Sequence, residues 1–139
     1  MGAYLMIPDI TDTVDFHDNH IRGISFDDED SSCDLILDID YIQEWMCQGV
    51  SCEFLIAPAY LRFKQVNNLQ ILLRKDNFTL NSHLAIILSV ESFPAEGNRK
   101  SYKISLVDDD LIQFEAEGVE LSITGQSTRS GKQYLLRNE

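Results

Sequence analysis

The first third of the chain has almost no positive charge. Between residues 1 and 53, Arg22 is the single Lys or Arg. Long apolar runs are missing too. The longest, such as Leu84 to Leu88, span a few residues, so no segment is expected to cross a membrane. The start, MGAYLMIPDITD, lacks a basic stretch followed by a long apolar one and does not read as a secretion signal. Cysteine is scarce. Three is an odd number, which excludes a disulfide-stapled miniprotein and predicts thiols in a reduced, cytoplasmic protein. Three prolines and seven glycines in 139 residues leave no linker, so residues 1–139 are expected to form one domain. No repeat of 20 to 50 residues is visible. Hydrophobic residues are plentiful, at 44 %, enough to fill a core and too many for a disordered chain.

Acidic residues are the other abundance. The net charge is −12, and residues 1–53 account for all of it, with thirteen acids against Arg22. Residues 54–139 carry ten acids and ten bases. Such a field repels nucleic acid and anionic membrane, because phosphates need Lys or Arg to replace their counterions. It favours encounter with a basic partner. The plainer reading is that the acids keep a small domain soluble.

Most apolar segments have a period of two, the mark of half-buried strands. Leu35, Leu37, Ile39 and Tyr41 share one face of a strand, with Asp34, Ile36, Asp38 and Asp40 on the other. Leu84, Ile86, Leu88 and Val90 fall together, as do Tyr102, Ile104 and Leu106. The pattern predicts an all-β fold with little helix: an antiparallel β-sandwich or flattened barrel of about eight strands built from sequential hairpins.

Four hairpins follow from matching apolar faces. Across Glu117-Gly118, Ala116 would meet Val119, Phe114 would meet Leu121, and Ile112 would meet Ile123. The same register sets Glu115 against Glu120. A loop at Val66-Asn67-Asn68, with Asn68 left-handed, would pair Phe63 with Ile71 and Leu61 with Leu73. Ile24 and Phe26 would face Leu37 and Leu35. Ile86 and Leu88 would face Leu106 and Ile104. Short strands at Tyr4 to Ile7 and Gln133 to Leu136 would cover edges. The expected core is Phe114, Leu121, Ile112, Ile123, Ile104, Leu106, Ile86 and Leu88.

Candidate chemistry is sparse. Asp15, His17, Asp18 and His20 offer metal-ligand types with His-x2-His spacing, and His83 would have to be brought to them by the fold. Cys47 and Cys52 lack the second pair a zinc ribbon needs, so buried apolar thiols are expected. The run from Asp28 to Ile39 misses the Gly and Glu of a calcium loop. No nucleophile elbow, phosphate loop or dinucleotide fingerprint is present, so the protein is expected not to be an enzyme and to need no cofactor.

Three stretches carry a resemblance: Phe16-His17-Asp18-Asn19-His20-Ile21, the acidic strand from Leu35 to Ile42, and Pro58 to Leu69. Together they resemble small uncharacterised acidic bacterial β-proteins, some of them similar to immunity proteins of toxin systems. The resemblance covers the first half of the chain and implies a fold rather than functional residues. It joins the charge map in suggesting a non-enzymatic, cytoplasmic interaction protein that engages a basic protein. The expected surface is Asp27, Asp28, Glu29, Asp30, Asp34, Asp38 and Asp40. A metal- or ligand-binding module on Asp15, His17, Asp18 and His20 is the alternative.

Overall fold

The computed structural model describes residues 9–29, 32–74 and 85–135. A single helical turn, α1 (Ile10–Thr13), precedes nine strands: β1 (His20–Glu29), β2 (Ser32–Gln48), β3 (Ser51–Lys64), β4 (Asn67–Leu72), β5 (Ala85–Pro94), β6 (Lys100–Leu106), β7 (Leu111–Ala116), β8 (Gly118–Ile123) and β9 (Thr128–Ser130). They form one antiparallel sheet in the order β4-β7-β6-β5-β1-β2-β3-β8, with β9 also on β3. The all-β expectation holds. The sheet folds over on itself and is not closed into a barrel.

The core lies in the fold of that sheet. Phe63 of β3 meets Phe114 of β7 at 4.7 Å and Tyr102 of β6 at 5.1 Å, both edge to face. Strand alternation puts Leu35, Leu37 and Ile39 of β2 beneath them, with Ile104, Leu106 and Ile112. Aromatic pairs at such distances add to the burial of their area.

Two expected hairpins are formed as pairs. Ile24 and Phe26 sit opposite Leu37 and Leu35. β5 and β6 also pair, but out of the expected register, by one residue at Leu106, which Ile87 faces, and by two at Ile104, which Val90 faces. Ala85 and Ile87 are buried, Ile86 is half-buried and Leu88 is exposed, and the bulge between Ile87 and Ser89 then shifts the pleat so that Val90 meets Ile104. Leu84 lies outside the described residues.

The other two hairpins do not form. β4 pairs with β7, and β8 pairs with β3. The chain bends at Gln65-Val66 and again at Glu117 instead of reversing. Glu117 N–H donates to Lys64 O at 2.8 Å, and Arg99 donates to the carbonyls of Gln65 and Glu115 at 2.5 and 3.0 Å. Residues 59–72 and 111–123 thus form one two-stranded ribbon with a corner in it. Asn68 is left-handed as expected, at φ 53°, but serves a bulge rather than a hairpin loop. Leu121 is half-buried and Ile123 is 49 % exposed, so neither is central to the core. No strand covers residues 133–135, and Tyr4 to Ile7 and Leu136 lie outside the described residues.

Candidate acidic surface and its partners in the fold

β1 and β2 carry the acidic run, and the alternation of β2 turns Asp34, Ile36 and Asp38 away from the core. Across the sheet Asp38 lies opposite Gly23 on one side and Tyr60 on the other. Asp27 and Asp34 are themselves a cross-strand pair. Their repulsion is relieved by Arg62 of β3, which donates through Nε to Asp34 Oδ2 at 2.7 Å and through Nη2 to Asp27 Oδ2. Gln65 N–H donates to the other Asp34 oxygen at 2.9 Å. Burial alone would raise the Asp34 pKa. The Gln65 amide and the Arg62 guanidinium outweigh it and hold the carboxyl below its ordinary value.

Asp40 departs from the expected outward row. It is fully buried, and Arg22 of β1 reaches Asp40 Oδ2 through Nε at 2.8 Å and Nη2 at 2.7 Å. Leu135 N–H donates to the same oxygen at 3.0 Å, and Arg22 in turn donates to Leu135 O. The C-terminal segment therefore lies over Asp40 and removes it from the surface. Of the remaining predicted residues, Asp28 is exposed opposite Cys33, and Glu29 pairs through its backbone with Ser32. Asp30 is outside the described residues.

Other acids of the N-terminal third meet bases from later in the chain. Asp9 caps α1 and accepts from Tyr102 Oη at 2.6 Å and Lys100 Nζ at 3.1 Å; Asp12 lies 3.7 Å from the same Lys100. Burial pushes the Asp9 pKa up, but Thr11, Tyr102 and Lys100 together bring it below the ordinary value. Burial, aided by Asp9, raises the Tyr102 phenol. Glu53 lies 3.6 Å from Arg129. Asp27–Arg62–Asp34 and Asp9–Lys100–Asp12 each set two carboxylates around one cation, so both remain net negative.

The Asp15–His20 segment does not gather as a metal site. Asp15 accepts from His17 N–H at 2.8 Å. His17 is exposed, 3.3 Å from Asp18 and stacked on Trp45, whereas His20 is buried against the Tyr134 ring at 5.0 Å. Asp18 is left-handed and accepts from Gln133 at 3.0 Å. Among the described residues no three His, Cys, Asp or Glu side chains are grouped to hold a cation. The strand at His20 explains the divergence, and His83 lies outside the described residues. The segment instead ties β2 to β5: Asn19 Oδ1 accepts from Ile42 N–H at 3.4 Å, and Asn19 O accepts from Ile87 N–H at 2.9 Å. Burial lowers the His20 pKa; Asp40 opposes that, Arg22 adds to it, and Asp18 opposes it, with a net lowering.

The cysteines also depart from expectation. Cys47 and Cys52 are bonded to each other, and Cys47 is exposed rather than buried. Gly49 at φ 61° opens a two-residue turn that sets Gln48 against Ser51 and Cys47 against Cys52. Cys33 alone is a free thiol. The signal was present in the C-Q-G-V-S-C spacing. Arg62 and Asn19 carried no local signal, since their partners are set by strand pairing.

Comparison with models of known protein families, with curated proteins and with solved structures finds no match.

Proposed function

We propose that this is a non-enzymatic, cytoplasmic interaction protein of the immunity type, which engages a basic protein through the outer face of β1 and β2. The observation that carries this reading is the concentration of acid charge. Seven of the thirteen acids of residues 1–53 lie on two adjacent strands, β1 and β2. The Asp27–Arg62–Asp34 cluster keeps an excess carboxylate, and Asp38 shares its face four positions along β2 from Asp34; Asp28, opposite Cys33, points to the other side of the strand pair. Arg62 orders the two carboxylates, so a basic side chain arriving there meets a fixed negative array rather than mobile groups. Such an array acts chiefly on association rate.

The test is capture on the immobilised protein at low and high ionic strength, followed by association kinetics with each captured protein. A partner that is basic, is retained at low salt and associates several-fold more slowly with the Asp27→Asn/Asp38→Asn variant supports the reading. Salt-independent capture, or an unchanged rate at low salt, removes it.

A further inference from the structure

We propose that the Cys47–Cys52 bond is a reversible redox site that sets the order of the end of the β2–β3 arm. Two features of the fold carry this. First, the arm outruns its neighbours. β2 pairs with β1 only as far as Asp40, and β3 pairs with β8 only from Ala59 and with β9 only over Phe54 to Ile56. Among the described residues, the strand residues around the tip, Met46 to Gln48 and Ser51 to Glu53, therefore form backbone pairs only with one another, with Arg129 reaching Met46 and Glu53 from the side. Two-stranded ribbons without further support are marginal in water. Second, the bond sits among the few side chains that hold the tip. Cys47–Cys52 and Trp45–Phe54 are successive same-face pairs of the ribbon. Trp45 meets Phe54 edge-on at 5.0 Å and stacks on His17 at 6.3 Å, while remaining 45 % exposed. Cys52 packs against the small cluster of Ile42, Phe54 and Ile56.

Cys47 is open to solvent, so a thiolate can reach its sulfur. The reductant is a dithiol. Its thiolate attacks one sulfur of the pair and breaks the S–S bond. Its second thiol then resolves the mixed disulfide. Cys47 and Cys52 each gain one electron and one proton, and the dithiol is left as a disulfide. The ring closed by the bond is short, because the cysteines are five positions apart, so the bond removes little entropy from the unfolded chain. The domain core, built on Phe63, Tyr102 and Phe114, is a separate cluster from the one Cys52 packs on. Reduction should therefore loosen residues 43–54 and leave the rest folded. In a reducing compartment such a bond is transient, and the arm would follow the local thiol poise.

The experiment treats the folded protein with dithiothreitol, quenches it, and counts thiols by alkylation under denaturing conditions. One thiol is expected before treatment and three after. Amide exchange at residues 43–54 should then quicken about tenfold or more, while the strands around Phe63, Tyr102 and Phe114 keep their protection. Emission from Trp45, the single tryptophan, should shift to the red as its contacts loosen. The Cys47→Ser/Cys52→Ser variant should show the reduced pattern without reductant and respond no further. A count that stays at one overturns the proposal, as does an unchanged arm after reduction. Loosening of arm and core together, or a serine variant that does not fold, also overturns it and makes the bond a staple of the whole domain.

Discussion

Glu120 lies directly opposite Arg62 across the β3–β8 pair, and Lys64 on the same strand reaches its carboxylate at 3.0 Å. This relationship accounts for the failure of the β7–β8 hairpin. Folding β8 back on β7 would have set Glu120 against Glu115. Laying it on β3 gives Glu120 the Lys64 ammonium instead of a carboxylate, a difference of the order of cross-strand pair energies, about 0.2–1 kcal/mol per pair. Together with the bend at Glu117, it directs β8 to the opposite half of the sheet.

Burial separates two residues that the sequence places alike. Phe114 lies in the aromatic cluster, and Phe114→Ala should cost about 3–5 kcal/mol. Ile123 is on the rim, and Ile123→Ala should cost under about 1 kcal/mol. Urea denaturation of both variants checks the contrast.

Asp40 answers to Arg22 and to the Leu135 amide inside the protein. Asp40→Ala removes a carboxylate that contacts a largely buried guanidinium. Losses of about 3–5 kcal/mol are typical of such breaks, and the partial exposure of Arg22 places this one toward or below the lower end. Denaturation midpoints should fall accordingly, and residues 133–135 should gain amide exchange. Asp28→Asn, on the surface, should leave stability unchanged.

The Asp34 carboxyl has a folded pKa below its unfolded value. Its contribution to stability is therefore full above the unfolded pKa of about 3.9 and is lost as pH falls through the lower folded value. Arg62→Gln should move the Asp34 titration toward the unfolded value and shrink this acid-side loss. Carboxyl chemical shifts followed by NMR between neutral and strongly acid pH measure it.

His20 acts in the same sense as Asp34, but nearer neutral pH. Its folded pKa is lowered, so the unfolded chain takes up the proton first. Stability should be full above the unfolded value of about 6.5 and should decline as pH falls below it, until the folded form is protonated too. Urea midpoints at neutral pH and near pH 5 should differ less for His20→Gln than for the parent chain. An equal difference in both would assign the loss to other groups.

Much of the fold was legible where one strand's pattern was enough. Leu35, Leu37 and Ile39 declared their face, and so did Tyr102, Ile104 and Leu106. Pairing was legible for β1 with β2, whose apolar and acidic faces match in a single register. It failed where two registers were nearly equal on local grounds. Ile86 and Leu88 alternate, whereas Ile87 and Val90, three positions apart, share a face only through a bulge that the alternation does not announce. Asn68 signalled its left-handed backbone but not which strand β4 would join. On the acidic surface, the run from Asp27 to Asp40 was plain to read. Its neutralisation was not, because Arg62 and Leu135 come from 28 and 95 positions away from the carboxylates they meet.

The cornered ribbon has a kinetic consequence. Its two strands are joined late in the chain's own order: Leu72 pairs with Leu111, and Ala59 with Ile123, 39 and 64 positions apart. The hairpins β1–β2, β2–β3, β5–β6 and β6–β7 can each zip from a short connection, but the ribbon must wait for the loop between residues 72 and 111 to close. Its formation, like the pairing of Ile21 with Ala85 between β1 and β5, is a long-range closure that joins the two halves of the sheet. The protein should therefore fold slowly for its size, with the aromatic cluster of Phe63, Tyr102 and Phe114 assembling at the rate-limiting barrier.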